Sequence, residues 1–359
     1  MTALRYRLLD LALQRQIAPD LLLRFGTRTA ASRKLRRLRL GGLEAMAERK
    51  DGMAIRARSG PVAEDPHHAN EQHYELPAEF MALFLGPRMK YSACWWPDTV
   101  RDLGGAEEAM LDVTTRRARV SDGMSVLDLG CGWGALTCWL LENYDVEVTA
   151  VSNSERQAQW IKADCERRGV AGRVRVVTAD INTFEPTRTF DRIISIEMFE
   201  HLRNWHELLK RAAGWLTPDG LMLLHVFSHR EFAYLFEGTW AAERFFSSGT
   251  MPSHDLLLRT VPAELDIERV WQFDGTHYSR TISAWLDRFD QSRDELVRVL
   301  RANGHTNTDA QLLVGTWRLF LLSTAEMWGL RKGQEWGVSH YLLRRTVQSS
   351  KVDRDGESR

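Results

Sequence analysis

Two stretches of this sequence bring chemically capable groups close together. The first is Glu197-Met198-Phe199-Glu200-His201, two carboxyls and an imidazole within one short run. If a helical turn starts at Glu197, then Glu200 and His201, three and four residues on, stay beside it and can face one reacting centre. Such a set suits proton removal, because carboxylates and imidazoles are common general bases. Crowded carboxyls also raise each other's pKa, which tunes one of them toward neutral pH. The plainer alternative is a helix N-terminus that simply favours acids.

The second stretch is Val126-Leu127-Asp128-Leu129-Gly130-Cys131-Gly132-Trp133-Gly134. Its glycines let the backbone turn tightly and approach a ligand that side chains would exclude. Gly130, Gly132 and Ala135 fit a dinucleotide loop, but that spacing alone is weak evidence. Asp128 stands just ahead of the first glycine, as in S-adenosylmethionine-dependent methyltransferases. Nicotinamide enzymes also need an acid about 20 residues on to hold the ribose, and here the second strand ends Val151-Ser152-Asn153-Ser154. Ala179-Asp180-Ile181, after the third strand, supplies a carboxylate where an adenine amino group would lie.

These residues need a parallel sheet behind them. Apolar runs predict strands at Ser125–Leu129, Val146–Val151, Arg173–Thr178, Asp191–Ile196 and Leu221–Phe227. Helical patterns fall between them at Ala135–Asn143, Ser154–Arg168 and His206–Leu216. Such alternation predicts an α/β fold, a Rossmann-like, doubly wound and mostly parallel sheet whose ligands bind at the carboxyl ends of the strands. Later strands are expected at Ile267–Phe273 and Val338–Arg344, with helices near 281–302 and 309–330. We divide the chain into a basic helical region and linker (1–70), a helical cap over the cofactor (71–120), and the Rossmann-like domain (121–350). Segments about 229–262 and 281–330 are expected to roof the acceptor, and 351–359 to form a disordered tail.

Lys+Arg and Asp+Glu balance at 48 each, so no global field favours nucleic acid. Residues 1–50 are nonetheless basic, with twelve Lys/Arg against four acids, and include the run Arg33 to Arg39. Residues 3–25 read as short amphipathic helices broken near Pro19, and 51–70 as a loop. A solvated helical face or peripheral contact with an anionic membrane both fit this region. No cysteine pair has CxxC spacing, so a metal site is not expected, and reduced thiols suggest a cytoplasmic setting. Nothing in the sequence separates a monomer from a homodimer. Among thirteen tryptophans, Trp95, Trp96 and Trp240 are candidates for an aromatic cage around a cation, although core packing is the commoner use.

With these pieces assembled, the chain resembles the cyclopropane fatty acid synthase superfamily, and within it the coclaurine N-methyltransferase-like alkaloid branch. The resemblance runs from about His73 to Arg345. It rests on His73-Tyr74-Glu75-Leu76-Pro77, Met89-Lys90-Tyr91-Ser92, the glycine loop, Asn153-Ser154 with Gln157, Ile194 through His201, Gly249-Thr250-Met251-Pro252-Ser253, Gly275-Thr276-His277-Tyr278 with Arg280-Thr281, and Trp336 with Ser339-His340-Tyr341. It implies S-adenosylmethionine as cofactor, with Asn153 and Gln157 replacing the missing ribose acid and Tyr91 and Ser92 covering the ligand. It also makes Glu197, Glu200 and His201 the base and amine-orienting set. Cyclopropane synthases of the superfamily hold a bicarbonate, and its matching positions here are Cys94, Glu200, His225 and Tyr278, with Phe227 a bulkier neighbour. Lipid-cyclopropanating members commonly have a small residue at the Glu197 position. The expected activity is therefore methyl transfer to a small-molecule acceptor, first an amine; acyl-lipid methylation or cyclopropanation and S-methylation of a thiol or sulfide are the alternatives.

Overall fold

The computed structural model describes residues 19–64, 76–238, 240–245 and 249–346. Helices α1 (Asp20–Leu38), α2 (Gly42–Arg56), α3 (Ala78–Ala82) and α4 (Leu103–Arg117) precede the sheet. Then come β1 (Ser125–Leu129), α5 (Ala135–Asn143), β2 (Glu147–Ser152), α6 (Glu155–Arg167), β3 (Val174–Thr178), β4 (Phe190–Ile196), α7 (Trp205–Trp215) and β5 (Leu216–His229). A small pair, β6 (Tyr234–Leu235) and β7 (Thr250–Met251), flanks α8 (Trp240–Phe245), and α9 (Leu256–Thr260) follows. The chain closes with β8 (Leu265–Asp274), α10 (Gly275–Gln291), α11 (Arg293–Ala302), α12 (Asn307–Trp328) and β9 (Trp336–Arg345).

The main sheet has the order β3-β2-β1-β4-β5-β9-β8. Its first five strands are parallel, while β9 runs antiparallel to both β5 and β8. Period-two alternation sends neighbouring side chains to opposite faces. Ile193 of β4 joins the core beneath α7, with Leu208 and Leu209, whereas Ile194 joins the core beneath α5 and α6, with Leu140 and Ile161. A third core packs the α3–α4 region against α10 and α12 through Phe80, Phe84, Phe289 and Trp317. Residues Met89 to Ser92, between α3 and α4, share a cleft with residues at the carboxyl ends of β1, β2 and β4.

Side-chain caps fix several helix starts. Ser154 Oγ accepts from Gln157 N at the head of α6, and Asp274 Oδ1 accepts from Thr276 N at 2.8 Å at the head of α10. Gly275 must lack a side chain, because a Cβ there would meet Trp328 O at 2.4 Å.

Two expectations need correcting. The loop read over 51–70 begins as helix, because α2 runs through Arg56 before the chain turns. The helical stretch near 281–302 is two helices that meet at Ser292, and the first starts six residues earlier, at Gly275, just after its Asp274 cap. In the basic run Arg33 to Arg39, Leu35 is fully buried and Lys34 lies 4.6 Å over the Tyr234 ring, while Arg33, Arg36, Arg37 and Arg39 are exposed. The N-terminal part of the helices read over 3–25, His73 to Glu75 of the similarity motif, and the tail 351–359 lie outside the described residues. No helix among the described residues is long and apolar enough to cross a membrane.

Candidate active site

A cleft opens at the carboxyl ends of β1, β2 and β4, and most of the residues singled out from the sequence line it. Its walls include Tyr91, Ser92, Asp128, Gly130, Gly132, Asn153, Gln157, Ile181, Glu197 and His201. The glycine loop leaves β1 with Gly130 N and Cys131 N both bonded to Val151 O, at 3.0 and 2.9 Å. All three glycines have positive φ, but only one faces open space. A Cβ on Gly130 would meet Met198 at 2.6 Å, and one on Gly134 would meet Ile161 at 2.7 Å, whereas Gly132 has nothing within 4 Å. Gly134 is thus a packing glycine between α5 and α6, a correction to its expected place on the ligand.

S-adenosylmethionine fits this cleft on two observations. Gly132 presents bare backbone to the space, and the Gln157 side-chain nitrogen is buried without a protein partner. Gln157 Oε1 accepts from Ser152 Oγ at 2.7 Å, which fixes the side chain and leaves its amide nitrogen for a ligand of the cleft it lines. Asp128 is buried and accepts from Thr137 Oγ1 at 2.6 Å; burial pushes its carboxyl up to about 7. Asp180 is turned toward its own loop, where Oδ1 accepts from Asn182 N at 2.8 Å, and its neighbours Ala179 and Ile181 form the wall. Tyr91 closes the cap side, its ring 5.6 Å from that of Trp285. Ser92 Oγ is committed to the buried Lys90 Nζ at 2.6 Å.

The acidic cluster divides. Glu197 follows β4 with φ +49, a left-handed conformation that costs a non-glycine residue about 1–2 kcal/mol. Its N–H is held by His225 O at 2.8 Å. Its carboxylate is surrounded by donors: Ala93 N and His225 Nε2 reach Oε1 at 2.9 and 3.2 Å, and Tyr278 OH reaches Oε2 at 2.6 Å. Burial raises the Glu197 pKa, opposed by the charge of Lys90 and the hydrogen bonds of Tyr278 and Ala93. His201, on the 3-10 turn Phe199–His201, also lines the cleft, and burial lowers its pKa, so the imidazole is neutral at physiological pH.

Glu200 is different. It is fully buried behind the cleft, where Oε1 accepts from Phe227 N at 2.6 Å and Oε2 has no partner. Burial, then the charge of Glu197, raises its pKa well above the ordinary carboxyl value, which favours the neutral acid. Cys94 is likewise buried, with its thiol pushed up to about 12 by burial. Of the expected anion-holding set, His225 and Tyr278 already serve Glu197.

Sequence reasoning gave no role to Lys90, whose buried ammonium bears on Glu197, Cys94 and His225. Its only signal was the motif Met89-Lys90-Tyr91-Ser92. The three tryptophans form no common cage. Trp96 Nε1 donates to Thr281 Oγ1 and its ring lies under Arg280, Trp95 packs on Phe273, and Trp240 packs on Phe245. No metal-ligating cluster occurs among the described residues.

Comparison with known proteins agrees with this geometry. The chain is 36% identical to (S)-coclaurine N-methyltransferase of Thalictrum flavum subsp. glaucum over 297 residues, 80% of this chain and 81% of that one. It is 31% identical to the cyclopropane-fatty-acyl-phospholipid synthase of Escherichia coli K12 over 221 residues, 61% of this chain and 56% of that one. A crystal structure of coclaurine N-methyltransferase bound to N-methylheliamine and SAH superposes with a TM-score of 0.89 at 34% identity, covering 94% of this chain and 99% of that one. The family model for mycolic acid cyclopropane synthetase matches residues 63–328. The chain belongs to this cyclopropane synthetase family and is an S-adenosylmethionine-dependent methyltransferase.

Proposed function

We propose that this enzyme transfers the methyl group of S-adenosylmethionine to the nitrogen of a small-molecule amine. One observation carries the choice: the Glu197 carboxylate itself takes the donors of His225, Tyr278 and Ala93 at the cleft. An enzyme that methylates an alkene and then removes a proton with a bound bicarbonate needs donors of this kind for that external anion. Here a fixed carboxylate holds them. Similarity to N-methyltransferases points the same way.

When bound, S-adenosylmethionine would supply an electrophilic sulfonium methyl and a neutral thioether leaving group. Tyr91, Gly132, Asn153 and Gln157, which line the cleft, would hold the cofactor. His201 takes the ammonium proton of the acceptor, freeing the nitrogen lone pair. Glu197 accepts a hydrogen bond from the same nitrogen and balances the charge of the resulting imidazolium. Glu200, neutral and buried, supports the Phe227 backbone. Phe236 and Trp328, from the segments expected to roof the acceptor, pack on Phe227 at 6.3 and 5.9 Å, and Trp328 stacks on Tyr278 at 4.5 Å. This suits a flat, apolar amine. Alignment of acceptor and methyl supplies most of the acceleration.

Two variants test the assignment. His201→Gln should cut kcat by roughly 10²–10⁴, keep cofactor affinity, and recover partly at high pH, where the amine deprotonates in solution. Glu200→Gln, a near isostere of the neutral acid, should stay within about tenfold of wild type. The reverse ranking would make Glu200 the base.

We also propose that α1 touches anionic membrane at its periphery. Leu21, Leu22 and Phe25 are exposed in its first turns and Arg33, Arg36 and Arg37 in its last, with Leu40 and Leu43 exposed just beyond its end. Co-sedimentation with phosphatidylserine vesicles should be clear at low salt and fade as salt rises. Absence of binding at low salt would leave this helix a solvated face.

A further inference from the structure

Behind Glu197, on the side away from the cleft, four side chains from four elements form an unbroken hydrogen-bonded line. Arg117 NH1, in the last turn of α4, reaches His340 Nδ1 of β9 at 3.0 Å. His340 Nε2 reaches His225 Nδ1 of β5 at 2.9 Å, and His225 Nε2 reaches Glu197 Oε1 at 3.2 Å. The two histidines are cross-strand partners on β5 and β9, so the sheet register itself brings them together. Both are fully buried.

The chemistry of the two ends fixes every proton between them. A guanidinium only donates, and a neutral imidazole has one donor and one acceptor nitrogen. His340 Nδ1 must therefore accept, so its Nε2 carries hydrogen and donates to His225 Nδ1. His225 Nε2 in turn carries hydrogen and can only donate to Glu197. Burial, with the charges of Lys90 and Arg117, pushes both imidazole pKa values well below the ordinary range, which keeps both rings neutral. Arg117 is itself held between aromatic rings, 4.7 Å from Trp271 and 4.6 Å from Phe273. Among the described residues no carboxylate forms an ion pair with it.

We propose that Arg117 and His340 are positioning residues for methyl transfer: by fixing the tautomer of His225 they make it a permanent donor to Glu197, hold that carboxylate in place, and bar His225 from acting as a base. Nothing is transferred along the line, because its far end cannot accept a proton. The other groups that bear on Glu197 are Lys90, His201, Glu200, Tyr278 and the backbone N–H of Ala93. None of these touches His225 Nδ1, so the orientation of that ring depends on His340 and, through it, on Arg117. Without the guanidinium, His340 is free to carry hydrogen on Nδ1. His225 can then turn an unprotonated nitrogen toward the carboxylate, which repels it.

The kinetic consequence rests on Glu197 serving an amine acceptor as above; the tautomers do not. The first measurement is therefore the long-range 1H–15N spectrum of histidine-labelled protein without acceptor, with His225→Gln and His340→Gln proteins used only to assign peaks. Wild type should show both His225 and His340 as neutral rings with hydrogen on Nε2. Hydrogen on Nδ1 of either ring in wild type overturns the proposal, with no dependence on any variant folding or on the acceptor. The second measurement compares Arg117→Met, which keeps the apolar stem between the rings, with Arg117→Lys, which restores a charged donor. In Arg117→Met the single tautomer should be lost, and the acidic limb of kcat should move up by roughly one pH unit, as for one lost hydrogen bond to a charged group. Arg117→Lys should restore both, and KM should change little in either. Retention of wild-type tautomers and pH profile in a folded Arg117→Met protein would reduce the line to packing. Correct tautomers with no amine turned over would instead retain the line and reject the amine acceptor.

Discussion

Replacing Tyr278 with phenylalanine removes one hydroxyl and little else. The ring keeps its stack on Trp328 at 4.5 Å and an interplanar angle of 29°, while the 2.6 Å hydrogen bond to Glu197 Oε2 disappears. A hydrogen bond to a charged group is worth about 1.5–3 kcal/mol, and one pKa unit corresponds to about 1.4 kcal/mol. Loss of the hydroxyl should therefore raise the Glu197 pKa by roughly 1–2 units. The hydroxyl favours the charged carboxylate, so without it Glu197 protonates more readily and less of the enzyme is active at a given low pH. The acidic limb of kcat/KM should move to higher pH by the same amount, with the high-pH plateau largely recovered. Cofactor affinity by calorimetry should hold, because Tyr278 is not among the residues lining the cofactor cleft. A uniform drop at every pH, or a limb that stays in place, would refute the idea that Tyr278 acts by keeping Glu197 charged.

Two further outcomes follow from the cofactor side. Gly132→Val places a β-branched side chain at φ +52, into the open space of the cleft, so calorimetry should show cofactor binding lost while circular dichroism stays near wild type; unchanged affinity would reject this loop as the cofactor site. Asp128, with its pKa raised by burial from 3.8 to about 7, favours the fold when protonated, and that contribution fades as pH rises from about 4 through 7. Asp128→Asn should accordingly flatten the fall in melting temperature over that window in the ligand-free protein; an equally steep fall in the variant would show that Asp128 titrates normally.

Much of the scaffold was legible because it is written in local periodicity. Ser125–Leu129 and Ala135–Asn143 have the bounds expected from their apolar patterns, since a fully buried strand and a helix with one buried face each leave a plain sequence signature. The antiparallel pairing of β9 was not legible, because direction within a sheet depends on distant connections. In the site, residue types and spacing brought Glu197 and His201 to the cleft but could not separate Glu200 from them. That division depends on a backbone turn: Glu197 adopts φ +49 and the following residues form a 3-10 turn, with Glu200 buried behind the cleft. Gly134 was misplaced for a similar reason, as its need for no side chain comes from Ile161, twenty-seven residues away. The line from Arg117 to Glu197 spans four elements and has no local pattern at all.

The most direct test of amine methylation is product analysis from one competition mixture. Purified enzyme would receive methyl-labelled S-adenosylmethionine together with a cyclic secondary amine bearing an aromatic ring, an alkyl thiol, and anionic phospholipid vesicles with unsaturated chains. Mass spectrometry and NMR would then locate the label. The expected result is label on the amine nitrogen, with the acyl chains unchanged. Label recovered as a cyclopropane carbon in the acyl chains, with amine and thiol untouched, would contradict the role given to Glu197.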